Sequence, residues 1–146
     1  MNTVGDLVRG RDVYSVQSDE TVLNAVRYMV EKSIGAVAVM EGGRMVGIFS
    51  ERDLMKRVVL RQLDPSVLPL RTVMTTNLVI AKPEESYKSA LDKMQSYNIR
   101  HLAIVDGEQL VGMISFRDLL SKDNKEKSAE LELMNAYLYY TPPAEN

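Results

Sequence analysis

A chain of 146 residues with 45% apolar and 26% charged residues has the composition of an ordinary soluble globular protein, and enough length to bury roughly two-thirds of its unfolded surface in a single domain. A net charge of −2 provides no general basic field, which argues against a nucleic-acid or anionic-membrane binder and requires any phosphate to be held locally. The absence of cysteine removes disulfides, thiolate catalysis and zinc–cysteine sites; with no signal-like pattern over Met1–Asp6 and no apolar run of about 18 residues, a cytoplasmic location is expected.

Along the chain, Val13–Val16 reads as a short strand. Ser18-Asp19-Glu20 then opens a helix whose Val22, Ala25, Val26, Met29 and Val30 recur at helical spacing and form one buried stripe. Ala36–Met40 and Met45–Phe49 flank a Glu41-Gly42-Gly43 turn, the pattern of a hairpin, and their near-continuous apolar runs predict strands covered on both faces. A second helix is expected to begin near Ser50. The connector Asp64-Pro65-Ser66-Val67-Leu68-Pro69 is rich in turn residues and separates the two halves of the chain.

Beyond it the order repeats. Leu78–Ala81 is a strand, and a helix with Tyr87, Ala90, Leu91 and Met94 on one stripe follows Pro83-Glu84-Glu85. Leu102–Val105 and Leu110–Ile114 flank Asp106-Gly107-Glu108, and a last helix starts near Ser115. The charged stretch Ser121–Lys127 leads to Leu131, Leu133, Met134, Tyr137 and Leu138. This partly amphipathic helix is expected to dock on the module or on a second subunit, and Pro142-Pro143 ends it.

A shift of 65 positions lays one half on the other without a gap: Ala25 meets Ala90, Met29 meets Met94, Ile34 meets Ile99 and Gly42 meets Gly107. The chain therefore divides into a first repeat (1–64), a second repeat (65–122) and a charged, amphipathic tail (123–146). Each repeat is a strand-helix-strand-strand-helix unit of α/β composition in the α+β sense.

The strongest local signal is a duplicated Gly-x-x-Ser-x-x-Asp: Gly47, Ser50 and Asp53, then Gly112, Ser115 and Asp118. Two readings of these residues stand. Ser followed three positions later by an acid at a helix start is a capping box. The same helix start offers N–H donors to an anion, and its Asp can accept hydrogen bonds from paired sugar hydroxyls.

At these residues the chain resembles a tandem pair of cystathionine-β-synthase (CBS) domains, a Bateman module. The residues that carry the likeness are Gly47–Asp53, Gly112–Asp118 and the segment Asn98–Asp106, and it spans about residues 4–122. The resemblance implies two repeats related by a pseudo-twofold axis, with an adenosine-containing ligand in each of two clefts between them. The Ser and Asp of one repeat would hold ribose and nearby phosphate, and the other repeat would cover the adenine. The principal cleft would combine Ser50, Arg52 and Asp53 with Leu78, Val79, Ile99, Arg100 and His101. The second would combine Ser115, Arg117 and Asp118 with Val13, Tyr14, Ile34, Gly35 and Ala36.

In a kinase regulatory subunit with similar repeats, basic residues at the positions of Arg100 and His101 contact phosphate. Their counterparts Gly35 and Ala36 cannot, so the Asp118 cleft is expected to be the weaker or more adenosine-like one. Glu51 would oppose a highly charged ligand, which favours AMP or NAD over ATP. Ala38 and Ala103 stand where many relatives have proline. Taken without the resemblance, His101 is a surface or hydrogen-bonded core residue, Arg52 and Arg117 are solvated helix residues, and Lys56-Arg57 is a helix surface.

A single histidine and no cysteine leave no histidine-rich metal site, and no nucleophile with a partnering base or Gly-rich phosphate loop is present. The expectation is a non-catalytic regulatory module that needs no metal. It would bind AMP, with NAD, ATP, ADP or S-adenosylmethionine as other candidates, and pass the ligand state to an unidentified partner or through a homodimer. The alternative is a structural dimer with vestigial clefts.

Overall fold

The computed structural model describes residues 3–122 together with residues 135, 137 and 138. A short helix α1 (Val4–Val8) precedes β1 (Ser15–Gln17), α2 (Val22–Lys32), β2 (Ala36–Glu41) and β3 (Arg44–Ser50). A three-residue helix α3 (Glu51–Asp53) then widens into a π-helical stretch, Leu54–Val59. A 3-10 turn at Leu70–Thr72 leads to β4 (Ile80–Ala81), α4 (Tyr87–Ser96), β5 (His101–Asp106), β6 (Gln109–Ser115) and α5 (Phe116–Lys122).

Each half builds one three-stranded sheet, β1-β2-β3 and β4-β5-β6, with the first pair parallel and the second antiparallel. The two sheets even carry irregularities at equivalent places, Val39/Met40 and Ile104/Val105. The hairpins close through glycines with positive φ, at Gly42 and Gly43 (59° and 80°) and at Gly107 (66°).

Helices α2 and α4 start at Thr21 and Ser86, whose side chains accept from the N–H of Asn24 and Ser89, rather than at the acidic triplets ahead of them. After each helix one short polar residue turns the chain through the left-handed region, Ser33 (φ 58°) and Asn98 (φ 53°), which occupy equivalent positions. Each first strand is shorter than expected and starts two residues later, at Ser15 and Ile80. The residues ahead of Ile80 run along the seam between the halves instead of joining the ladder.

The two hydrophobic cores are built by exchange. In the second half Leu102, Ile104, Ile114 and Leu119 pack with Ala90, Leu91 and Met94, and the core is completed by Val4, Leu7 and Val8 of α1 from the far end of the chain. In the first half Val37, Val39 and Phe49 pack with Val22, Ala25 and Met29, and Leu70 and Val73 from beyond the connector complete it.

Equivalent carbonyls receive both crossing segments. Val4 and Gly5 donate to Glu85 O and Pro83 O (2.9 and 2.8 Å), and Leu70 and Arg71 donate to Glu20 O and Ser18 O (2.9 and 3.0 Å). Fully burying each valine or leucine of these segments contributes on the order of 1.5–3 kcal/mol, so neither crossing is optional. Leu138 packs on the second core, and residues 135, 137 and 138 are helical; the remainder of the expected tail lies outside the described residues.

The crossings explain the glycine of each Gly-x-x-Ser-x-x-Asp. A Cβ on Gly112 would stand 2.8 Å from Val8 Cβ, and one on Gly47 would stand 2.5 Å from Met74 Sδ and 3.0 Å from the Thr75 carbonyl oxygen. These glycines let the crossing segment lie directly on β6 or β3. Gly112→Ala is therefore expected to destabilise the fold by about 1–3 kcal/mol in denaturant unfolding. Val8→Ala keeps its own Cβ but removes the Cγ1 that would stand 2.9 Å from the new one, so adding it should recover part of that loss, as a coupling of at least about 0.5 kcal/mol between the two sites.

Candidate functional site

Each half ends its hairpin at a serine that caps the following helix. Ser50 N donates to Asp53 Oδ2 (3.0 Å) and Asp53 N donates to Ser50 Oγ (3.3 Å); Ser115 and Asp118 do the same at 2.8 and 3.1 Å. The capping box is thus present at both motifs, a contribution of about 1 kcal/mol each. Both acids also line a cavity between the halves.

The two acids are held differently. Asp53 is buried, at 6% exposure, and its Oδ1 accepts from Thr75 Oγ1 at 2.9 Å. Thr75 is itself fixed to β3 by a pair of backbone hydrogen bonds with Ile48. Arg57 Nε lies 3.7 Å from the same oxygen, but this guanidinium donates through Nη1 to the carbonyls of Met74 (2.8 Å) and Val73 (3.3 Å), which ties the crossing segment down. A carboxylate offers about four lone-pair sites, so Oδ1 of Asp53 retains room for a further donor.

Asp118 faces Arg11 instead, with Nη1 3.3 Å from Oδ2 and Nη2 3.3 Å from Oδ1. Burial pushes the Asp118 carboxyl up, but hydrogen bonds from Ser115 N and from Arg11, with the charge of Arg11, outweigh it and hold it below the usual carboxylate range.

Two cavities lie along the seam. The first, of about 220 Å³, is lined by all eight residues expected of the principal cleft: Ser50, Arg52, Asp53, Leu78, Val79, Ile99, Arg100 and His101. The second, of about 790 Å³, is lined by Tyr14, Ile34, Gly35, Ala36, Ser115, Arg117 and Asp118. Val13 is not on its wall and is 44% exposed.

Thr75 and Arg11, which no sequence pattern singled out, join the walls of the first and second cavities respectively. Ala103 lines the first cavity, whereas Ala38 lies in the core. Arg100 and His101 line both cavities and not the first alone, and Gly35 and Glu51 are shared in the same way.

This shared wall is tightly fitted. A Cβ on Gly35 would come within 2.8 Å of Glu51 Oε1 and 3.3 Å of His101 Cε1. Burial pulls the His101 pKa below the ordinary histidine value, reinforced by the Arg100 charge and opposed by Glu51 and Asp118, so the imidazole is neutral at neutral pH. Arg52 Nη1 donates to Asn98 O across the seam at 2.8 Å. Among the described residues the guanidinium groups of Arg100 and Arg117 have no hydrogen-bond or ion-pair partner. The described residues hold no group of three potential metal ligands, and none of their helices is long and apolar enough to cross a membrane.

A duplicated α+β unit with twin clefts at its seam defines a tandem-repeat module. The CBS domain family matches residues 4–60 and again 70–125, and the chain belongs to that family. It is 32% identical over 135 residues to the CBS domain-containing protein YhcV of Bacillus subtilis (strain 168), covering 92% of this chain and 95% of that one. It is 28% identical over 126 residues to the mitochondrial protein CBSX3 of Arabidopsis thaliana, covering 83% of this chain but only 61% of that one.

A CBS-domain protein from Burkholderia ambifaria MC40-6 superposes with a TM-score of 0.77 at 30% identity, over 88% of this chain and 93% of that one. The CBS pair of protein MJ0100, solved with 5′-methylthioadenosine and S-adenosyl-L-methionine, shares the fold with a TM-score of 0.73 at 21% identity, over 82% of this chain and 93% of that one.

His101 gives the fold a defined pH response. Its folded pKa lies below its unfolded value of about 6.5, so on acidification the unfolded chain takes up a proton that the folded chain refuses. Stability should therefore decline as pH falls through the ordinary histidine range and level off below the folded value. His101→Gln should remove that segment of a stability-versus-pH curve measured by denaturant midpoints. The Asp118 contribution is separate: present above the ordinary carboxylate range, it is lost only as pH falls through its lowered value.

Proposed function

We infer that this CBS pair is a non-catalytic regulatory module that binds an adenine nucleotide, with AMP as its preferred ligand, in the clefts between its halves. What carries the reading is the convergence on one cavity of a buried acid with an open acceptor position, a lead-in of Leu78 and Val79 from the other half, and the cationic Arg100 beside the neutral His101 imidazole. The solved complex of MJ0100 with two adenosyl compounds, in the same fold, supports the ligand class.

In this reading ribose hydroxyls donate to Asp53, the adenine lies against Leu78, Val79 and Ile99, and Arg100 grips phosphate with paired hydrogen bonds. Glu51, on the wall of both cavities, disfavours ligands of higher charge such as ATP. NAD, ADP and S-adenosylmethionine are the other members of the class to screen.

The mechanism follows from where the walls come from. Each cavity takes its acid from one half and its cover from the other, so a bound nucleotide bridges the halves and stabilises one relative arrangement by no more than its differential affinity for the two. The output passes to a partner protein or through a homodimer, for which Val30, Met55, Val59 and Leu60 provide exposed apolar surface.

Isothermal titration with AMP is the direct test. Asp53→Asn is expected to weaken binding by about tenfold or more. Arg100→Ala should weaken AMP by about tenfold and leave adenosine within about threefold. A flat response of the wild-type chain to AMP, ADP, ATP, NAD(H) and S-adenosylmethionine would remove the reading and leave a structural pairing module in its place.

A further inference from the structure

The two clefts treat their acids by opposite chemistry. The acid of the first is held by a neutral hydroxyl, Thr75 Oγ1. The acid of the second faces a guanidinium, with both Nη atoms of Arg11 set opposite its two carboxylate oxygens. The duplication does not supply this fork, since a shift of 65 positions lays Arg11 on Thr76, and Gly10 on Thr75. Arg57, which approaches Asp53, is no equivalent, because its guanidinium is committed to the carbonyls of the crossing segment.

Two features make the Arg11–Asp118 pair releasable. Both of its contacts are 3.3 Å long, well beyond the 2.7–2.9 Å typical of a tight charge-assisted bond. The two side chains also keep 34% and 30% exposure, so the pair gains little net energy. Around the same cavity stand Arg100 and Arg117, whose guanidinium groups have no partner among the described residues. Asp12 and Glu51 are the other acids on its wall.

We propose that Arg11 is a specificity gate for the second cleft: in the free protein it covers Asp118, and only a ligand that carries its own anionic group draws it away. A phosphate near Arg100 and Arg117 gives the Arg11 guanidinium a new partner, and Asp118 is then open to ribose hydroxyls. An uncharged nucleoside must break the same pair with nothing to replace it. The second cleft therefore favours nucleoside phosphates, which gain Arg11, Arg100 and Arg117, over uncharged adenosyl compounds, which gain none of them, whereas the first admits both. This departs from the expectation that the Asp118 cleft is the more adenosine-like one, and it rests on the nucleotide-binding reading above.

Calorimetric titrations of the full chain with AMP and with adenosine test it through stoichiometry. The wild-type chain should bind AMP at two sites and adenosine at one. Arg11→Gln should bring adenosine to two sites and lower the preference of the second site for AMP by at least about tenfold. Lysine at the same position, Arg11→Lys, keeps the charge without the fork and should retain most of the AMP preference. Two adenosine sites in the wild-type chain, or one adenosine site in the Arg11→Gln chain that still binds AMP, would overturn the gate and leave the nucleotide reading intact. Failure of the wild-type chain to bind either ligand would remove both.

Discussion

Neither half of this molecule closes its own core. Helix α1 completes the second half and Leu70 and Val73 complete the first, so the halves are joined by reciprocal burial rather than by a flat contact between finished units. This constraint also places the chemistry. The chain leaving each crossing segment runs directly past the acid of the half on which it has just packed, and it delivers Thr75 to Asp53 and Arg11 to Asp118. Gly47 and Gly112 allow the close approach, so every member of the Gly-x-x-Ser-x-x-Asp pattern has a physical role. The glycine permits contact with the crossing segment, the serine caps the helix, and the aspartate serves both cap and cleft.

The acids show how one side chain can cap a helix and still line a cavity. A cap needs only the oxygen that faces the serine N–H, and a carboxylate has a second oxygen to offer. In Asp53 that second oxygen meets a hydroxyl that can share it; in Asp118 it meets a guanidinium that covers it. The same local motif, present twice along the chain, thus yields two sites of different character. The difference comes from residues that approach from elsewhere in the sequence.

That division also explains what the sequence disclosed. Val30, expected on the buried stripe of α2, is 73% exposed, but the repeat, both hairpins, the rest of that stripe, the α4 stripe and the two capping boxes follow from spacing between near neighbours or from one constant shift, and each was legible. So was the wall of the first cavity, because the family resemblance carried it residue by residue. Helix α1 and the 3-10 turn at Leu70–Thr72 were not, since pieces so short have no periodicity of their own and owe their form to distant cores. Thr75 and Arg11 were missed for the same reason. The expected strand at Leu78 began too early because apolar residues that line a seam look, in sequence, like residues that line a sheet, while Val13, also expected in a strand, is exposed ahead of β1.

The left-handed residues Ser33 and Asn98 deliver the next few residues of the chain to the region where the halves meet. At Asn98 the delivered residues are Arg100 and His101; at Ser33 they are Gly35 and Ala36. A side chain on Gly35 would meet the Glu51 carboxylate and the His101 ring, and those groups would have to yield to it. Gly35, Arg100 and His101 all stand on a wall that the two cavities share. Duplication starts from two like halves, yet equivalent positions on this wall now carry a glycine and an arginine. That single divergence reaches both clefts at once, because one wall serves the two.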